Sequence, residues 1–304
     1  MTAPTSPALA AAPRNAVIVA SVLVLLGTFC FSVMNAIAKF LPTLNGPEIH
    51  VFMLTSARYL IAALIVFPIW IRSPKPRAPT HLHRYAIRTL AGFGGIALMF
   101  VAVSKMQLAA ATAIGFTSPI FTILIAALLL REGLKGIVVL GTFIGLASTM
   151  LIIVPAGFTL SSGAFFAVAA AVCMGGEVAA IKWLSSGRDS SMTIIFFSNL
   201  LGAVLSLGLA APHFTLPQVP QVVLLVSIGA VAVTGQFLIL SAARRVPASF
   251  LAPFFFVSLV YSTLIGIVVF AEVPSKLTLL GCAGIICGAT LITQQNRKWR
   301  SARR

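Results

Sequence analysis

The stretch Thr112-Ala-Ile-Gly-Phe-Thr-Ser-Pro-Ile-Phe-Thr122 runs on to Leu130-Arg-Glu132 and Gly141, and it is echoed 140 positions later. The echo reads Leu251-Ala-Pro-Phe-Phe255, then Phe270-Ala-Glu272 and Gly281. At this one shift Phe116 meets Phe256, Ser118 meets Ser258, Glu132 meets Glu272 and Gly141 meets Gly281. A second register, 143 apart, pairs Cys30 with Cys173, Ala36 with Ala179, Lys39 with Lys182 and Leu41 with Leu184. The chain therefore reads as two copies of one unit.

What the unit is follows from composition. Of 304 residues, 59% are hydrophobic and 9% charged, and the mean hydropathy is +1.07. A soluble domain carries about 25% charged residues, so a water-soluble globule and a disordered chain are both excluded. Ten apolar stretches stand out: 17–40, 48–70, 85–105, 109–130, 135–154, 162–184, 191–211, 221–242, 248–270 and 276–295. Each is close to the roughly 20 residues a membrane helix needs. Five spans per copy is an odd number, so the second copy enters the membrane from the opposite side. The predicted fold is all-α and integral to the membrane: ten transmembrane helices arranged as two inverted five-helix repeats. The expected segments are a tail over 1–15, repeats over 16–155 and 160–295, and a basic tail over 296–304. The apolar run after the first tail is too long for a cleaved signal and reads as the first span.

The net charge of +16 would suggest nucleic acid in a soluble protein. Ten spans with both termini in the cytoplasm explain it instead. That topology places 17 basic residues inside, including Arg72, Arg84, Arg88 and the tail from Arg297 to Arg304, and only Lys39, Lys105 and Lys276 outside. Positive loops stay in the cytoplasm, so a bacterial-type inner membrane is the expected location. Trp70 and Trp183 fall at span ends, where headgroups favour them. Cys30, Cys173, Cys282 and Cys287 lie in apolar runs without metal-ligand spacing, as small packing residues do.

The quoted motifs resemble the drug/metabolite transporter superfamily, in its ten-helix EamA type with two EamA domains. Phe31-Ser-Val-Met-Asn-Ala-Ile-Ala-Lys39 and Arg58 fit the same pattern. One departure is Leu259, where the first copy has Pro119. The resemblance implies a secondary transporter working by alternating access. Its substrates would be small organic metabolites, amino acid-like or heteroaromatic, such as riboflavin or S-adenosylmethionine. The expected partners are that substrate and the bilayer, with no nucleic acid, in a monomer or homodimer. No cofactor or metal is called for, and no ATP-binding motif is present, so a gradient must drive flux.

Polar groups inside a membrane are costly and mark candidate sites. Arg58 lies within span two and either holds a substrate carboxylate or phosphate or braces helices. Glu177 follows Gly175 and Gly176 in span six. It could carry a coupling proton, bind a substrate cation, or pair with Arg58 or Lys182. Asn35, Asn199 and Gln236 could contact substrate or tie helices together. Phe116, Phe256 and Tyr261 could stack on an apolar moiety. Lys39 reads as a lysine snorkelling to the interface, and Glu132 and Glu272 as helix-end features or gate contacts. Pro119 and Pro253 predict bends, and Gly92, Gly94 and Gly95 a close helix approach. An integral membrane enzyme acting on a lipid-linked substrate is the alternative. Its clustered acids are missing from the sequence, because Glu48, Glu132, Glu177, Asp189 and Glu272 are scattered. Of the histidines His50, His81, His83 and His213, only His81 and His83 are neighbours.

Overall fold

The computed structural model describes residues 14–72, 82–118, 120–121, 162–185, 191–243, 245, 255 and 257–288, with isolated helical positions between 124 and 151. Among them every regular element is helical. The order is α1 (Arg14–Phe40), α2 (Val51–Ile71), α3 (Leu82–Lys105), α4 (Leu108–Gly115), α5 (Ser162–Ser185), α6 (Ser191–Ala210), α7 (Val219–Ala243) and α8 (Val257–Phe270). A ninth helix, α9, covers Lys276–Gly288.

Among the described residues five segments are long and apolar enough to cross a membrane: Ile18–Thr43, Val51–Ile71, Leu82–Lys105, Met192–His213 and Val219–Ile239. Shorter apolar helices are Ser162–Glu177, Val257–Phe270 and Lys276–Gly288. Large side chains such as Leu64, Phe143, Phe165 and Val268 point outward at 59–80% exposure. In water this would be ruinous, and in a bilayer it is the lipid-facing surface.

Local chemistry sets the helix ends. Pro42 follows α1 and turns it into a single 3-10 turn, Leu41–Thr43. His50 caps α2, its Nδ1 accepting from the Phe52 amide at 3.3 Å. Span four is expected to run unbroken over 109–130, with its bend at Pro119. Instead α4 stops after Gly115. The Phe116 amide bonds back to both Thr112 and Ala113, and Thr117 to Ile114 at 2.9 Å, before helical geometry resumes at Ser118. A proline has no N–H to donate and its ring clashes with the carbonyl four residues back, which for Pro119 is that of Gly115, where α4 stops. Pro119 itself, Pro253, Glu132, Phe256 and the Lys182 and Trp183 side chains lie outside the described residues.

The helices pair across the two halves rather than within them. The main contacts are α3 with α5, α2 with α6 and α1 with α7, and the short α4 lies against α8. Numbered as spans, these are three with six, two with seven, one with eight, and four with nine. Exchanging the halves maps one–eight onto three–six and leaves two–seven and four–nine unchanged. The lesser contacts α2–α7 and α3–α6 are also mates under this exchange, as are α1–α8 and α4–α5. The packing thus carries the internal repeat seen in the sequence.

Glycine permits the closest approach. A Cβ on Gly95 would stand 2.9 Å from Met174 Cγ, and one on Gly202 2.5 Å from the Tyr59 ring. The expected close contact of span three is therefore present, against α5.

Candidate functional site

Arg58 sits in the third turn of α2 and is 4% exposed. Its guanidinium carbon lies 4.5 Å from the centre of the Tyr59 ring. Its Nε and Nη1 have no hydrogen-bond partner among the described residues. A guanidinium keeps its charge at any physiological pH, and a buried cation without a counter-ion is costly.

Glu177 faces the same neighbourhood from α5. Its Oε1 accepts a 3.3 Å bond from Arg88 Nη2, and the two side chains are 28% and 14% exposed. Arg88 also donates to Ser198 Oγ on α6. Gly92 makes the room, since a Cβ there would fall 2.9 Å from the Glu177 carboxyl carbon. Arg88, counted among the loop cations, instead lies in the second turn of α3 and turns inward to Glu177. Among the described residues Glu177 pairs with Arg88 and not with Arg58, and the Lys182 side chain lies outside them. The signal was present: Arg88 and Gly92 are one turn apart on one helix face. Tyr59, 5% exposed, feels the charges of Arg58, Glu177 and Arg88 together. Among the described residues the group holds two cations against one carboxylate.

The amides divide. Asn199 Nδ2 donates to Ile195 O at 2.8 Å and to Gln236 Oε1 at 3.4 Å, tying α6 to α7. Its Oδ1 is buried without a partner, as are Asn35 Oδ1 and Thr89 Oγ1, among the described residues. The aromatics fall elsewhere. Phe116 packs against the main core. Tyr261 meets Phe29 edge-on at 5.3 Å, and Phe29 is 43% exposed, so this pair lies on the outer flank of the bundle.

At the other end of α1, Lys39 is not a free snorkelling lysine. Its Nζ lies 2.5 Å from Glu272 Oε1, and both side chains are 14% exposed. It also donates to Met106 O. Glu272 Oε2 accepts from the Leu108 amide at 2.9 Å, so Glu272 caps α4 as well as following α8.

A helical bundle with lipid-facing sides, an internal repeat and ionisable groups buried between its halves defines a multi-span membrane protein of the transporter kind. The profile of the EamA-like transporter family matches residues 18–154 and again 161–294. The chain belongs to that family. It is 26% identical over 278 residues to the S-adenosylmethionine uptake transporter of Rickettsia bellii, covering 90% of this chain and 93% of that protein. It is 27% identical over 280 residues to the pseudopaline exporter CntI of Pseudomonas aeruginosa, covering 90% and 96%. An uncharacterized transporter of Helicobacter pylori is 24% identical over 289 residues, covering 92% and 96%. A solved crystal structure superposes with a TM-score of 0.61 at 21% identity, covering 94% of this chain and 98% of that one. At that identity the likeness speaks for the fold.

Proposed function

We propose that this protein is a secondary transporter that carries a small carboxylate-bearing metabolite across the inner membrane by alternating access. The observation that carries the reading is Arg58, with two guanidinium nitrogens buried and unpartnered among the described residues. Arginine forms strong charge-assisted bonds to carboxylates, and a substrate carboxylate would supply a counter-ion. Glu177, held by a single 3.3 Å bond from Arg88, is available to a substrate cation. A zwitterion would satisfy both, and the name of the Rickettsia relative, an S-adenosylmethionine uptake transporter, fits an amino acid-like cargo. Asn35, Thr89 and Asn199 supply further hydrogen-bonding atoms.

Ten spans in two inverted repeats, with both termini inside, remain the architecture proposed. The exchange-symmetric helix pairing supports the repeats, and the one-sided basic loops support the orientation. Glu177 is proposed to carry a coupling proton, because protonation would release it from Arg88.

Exchange in proteoliposomes tests the function. Vesicles preloaded with S-adenosylmethionine or an amino acid mixture should accumulate the labelled compound faster than empty ones, and Arg58→Gln should abolish this. Chemical conversion of the compound would favour the membrane-enzyme alternative. Flux indifferent to preloading would indicate a pore.

A further inference from the structure

We infer that Lys39 and Glu272 form an ion-pair latch that holds the outer mouth of the transporter shut. The inference rests on the alternating-access reading above. Lys39 ends α1, and Glu272 follows α8, so the 2.5 Å pair joins the two halves. Two further bonds cross at the same level. Glu272 Oε2 accepts from Leu108 N at 2.9 Å, and Gln107 Nε2 donates to Val273 O at 3.3 Å. The latch thus gathers the ends of α1, α3, α4 and α8 at the membrane face opposite the basic loops.

The carboxylate is delivered there by a built piece of backbone. Ala271 takes a left-handed φ of 52°, a conformation an L-residue with a Cβ resists. It turns the chain so that the Glu272 amide bonds back to Gly266 O at 2.9 Å. Gly266 clears the space, since a Cβ there would lie 2.9 Å from Glu272 Oε2. Strain held at one position is typical of switch segments.

The seam beneath is suited to opening. Thr112 Oγ1 donates to Ser262 Oγ at 3.0 Å, Ser262 Oγ to Ser32 Oγ at 3.4 Å, and Ser32 Oγ to Ser258 O at 3.1 Å. These hydroxyls join α1, α4 and α8, and Ser262 and Ser32 are 0% and 2% exposed. Water can replace hydroxyl–hydroxyl bonds one for one, whereas an apolar seam would resist wetting. When the halves part, lysine and carboxylate at a 14% exposed rim pass readily into water.

The test uses Ser262→Cys as a reporter, in purified protein whose Cys30, Cys173 and Cys287 are replaced by serine. Labelling with a bulky maleimide in detergent reads access to the seam without regard to orientation. Glu272→Gln removes the charge, and Gly266→Ala displaces the carboxylate while leaving every charge in place. Both should speed labelling about five-fold or more, in step with a larger open population. Buried Cys282, retained and read at the peptide level, should keep its slow rate. If Glu272→Gln exposes Cys282 too, that variant has unfolded and Gly266→Ala decides. Labelling at the parent rate in Gly266→Ala overturns the latch. Because labelling needs no substrate, a failed exchange assay with faster labelling would strike the transport reading alone.

Discussion

Arg58 separates a binding residue from a brace by the sign of its effect on stability. Removing one partner of a satisfied buried pair costs about 3–5 kcal/mol, whereas replacing an uncompensated buried charge with an apolar side chain of similar size is neutral or stabilising. With Nε and Nη1 unpartnered among the described residues, Arg58→Met should leave the ligand-free melting temperature unchanged or raised while ending transport. A fall of many degrees would make Arg58 a structural residue. His50 gives a second prediction at this scale. It lies just outside the span Val51–Ile71 and stacks on His213, with ring centres 4.1 Å apart. Burial first, and then the neighbouring His213, hold its pKa below the ordinary 6.5, while Glu48 pulls the other way. A depressed folded pKa favours the neutral ring, so this site costs stability as pH falls through 6.5 towards the lowered value. His213→Gln should flatten that acid-side loss in a melting-temperature profile, and an unchanged profile would contradict the coupling.

Among the elements, α3 depends on glycine where α5 crosses it. Gly92→Ala would force the Glu177 carboxyl aside, so it should reproduce the transport phenotype of Glu177→Gln. Wild-type transport by Gly92→Ala would show that Glu177's position does not matter. Gly202 is tighter still. A methyl 2.5 Å from the buried Tyr59 ring is overpacking, which costs about 1–3 kcal/mol and should lower the melting temperature, with partial rescue by Tyr59→Leu. The sequence shows these helices plainly, because twenty apolar residues in a row have few other uses. It shows their polar contents less well. Arg88 reads as a loop cation by its nearness to Arg84, and only the space over Gly92 reveals its turn inward to Glu177. Lys39 reads as interfacial, because its partner lies 233 residues away and no local periodicity points to it. The halt at Phe116 in span four is hidden because Pro119, three residues on, is the visible breaker.

Across the whole molecule, the repeat is the feature most legible from sequence and the one that organises the packing. Two shifts, 140 and 143, pair the copies, and the contacts α1–α7 and α3–α5 then appear as exchange mates. What sequence could not give is which buried groups meet. Arg58, Glu177 and Arg88 come from three different helices; Arg58 adjoins Tyr59 in α2, and only packing brings Glu177 and Arg88 to it. Glu177 is where the proposed proton coupling would act. Glu177→Gln should erase the pH dependence of uptake and weaken exchange of a zwitterion at fixed pH, and uptake that keeps its pH profile would remove Glu177 from the proton-carrying role. The central claim is that a carboxylate meets Arg58. Ligand-induced melting shifts with matched pairs test it most directly: S-adenosylmethionine against its decarboxylated form, and amino acids against the corresponding amines. A ligand that binds only the folded protein raises its melting point, by about 2.7 kcal/mol of stability at a hundred-fold excess over Kd. The account predicts that at least one carboxylate member stabilises the protein, that its decarboxylated partner does not, and that Arg58→Gln loses the shift. Equal stabilisation by both members of every active pair, or a shift that survives Arg58→Gln, would contradict it.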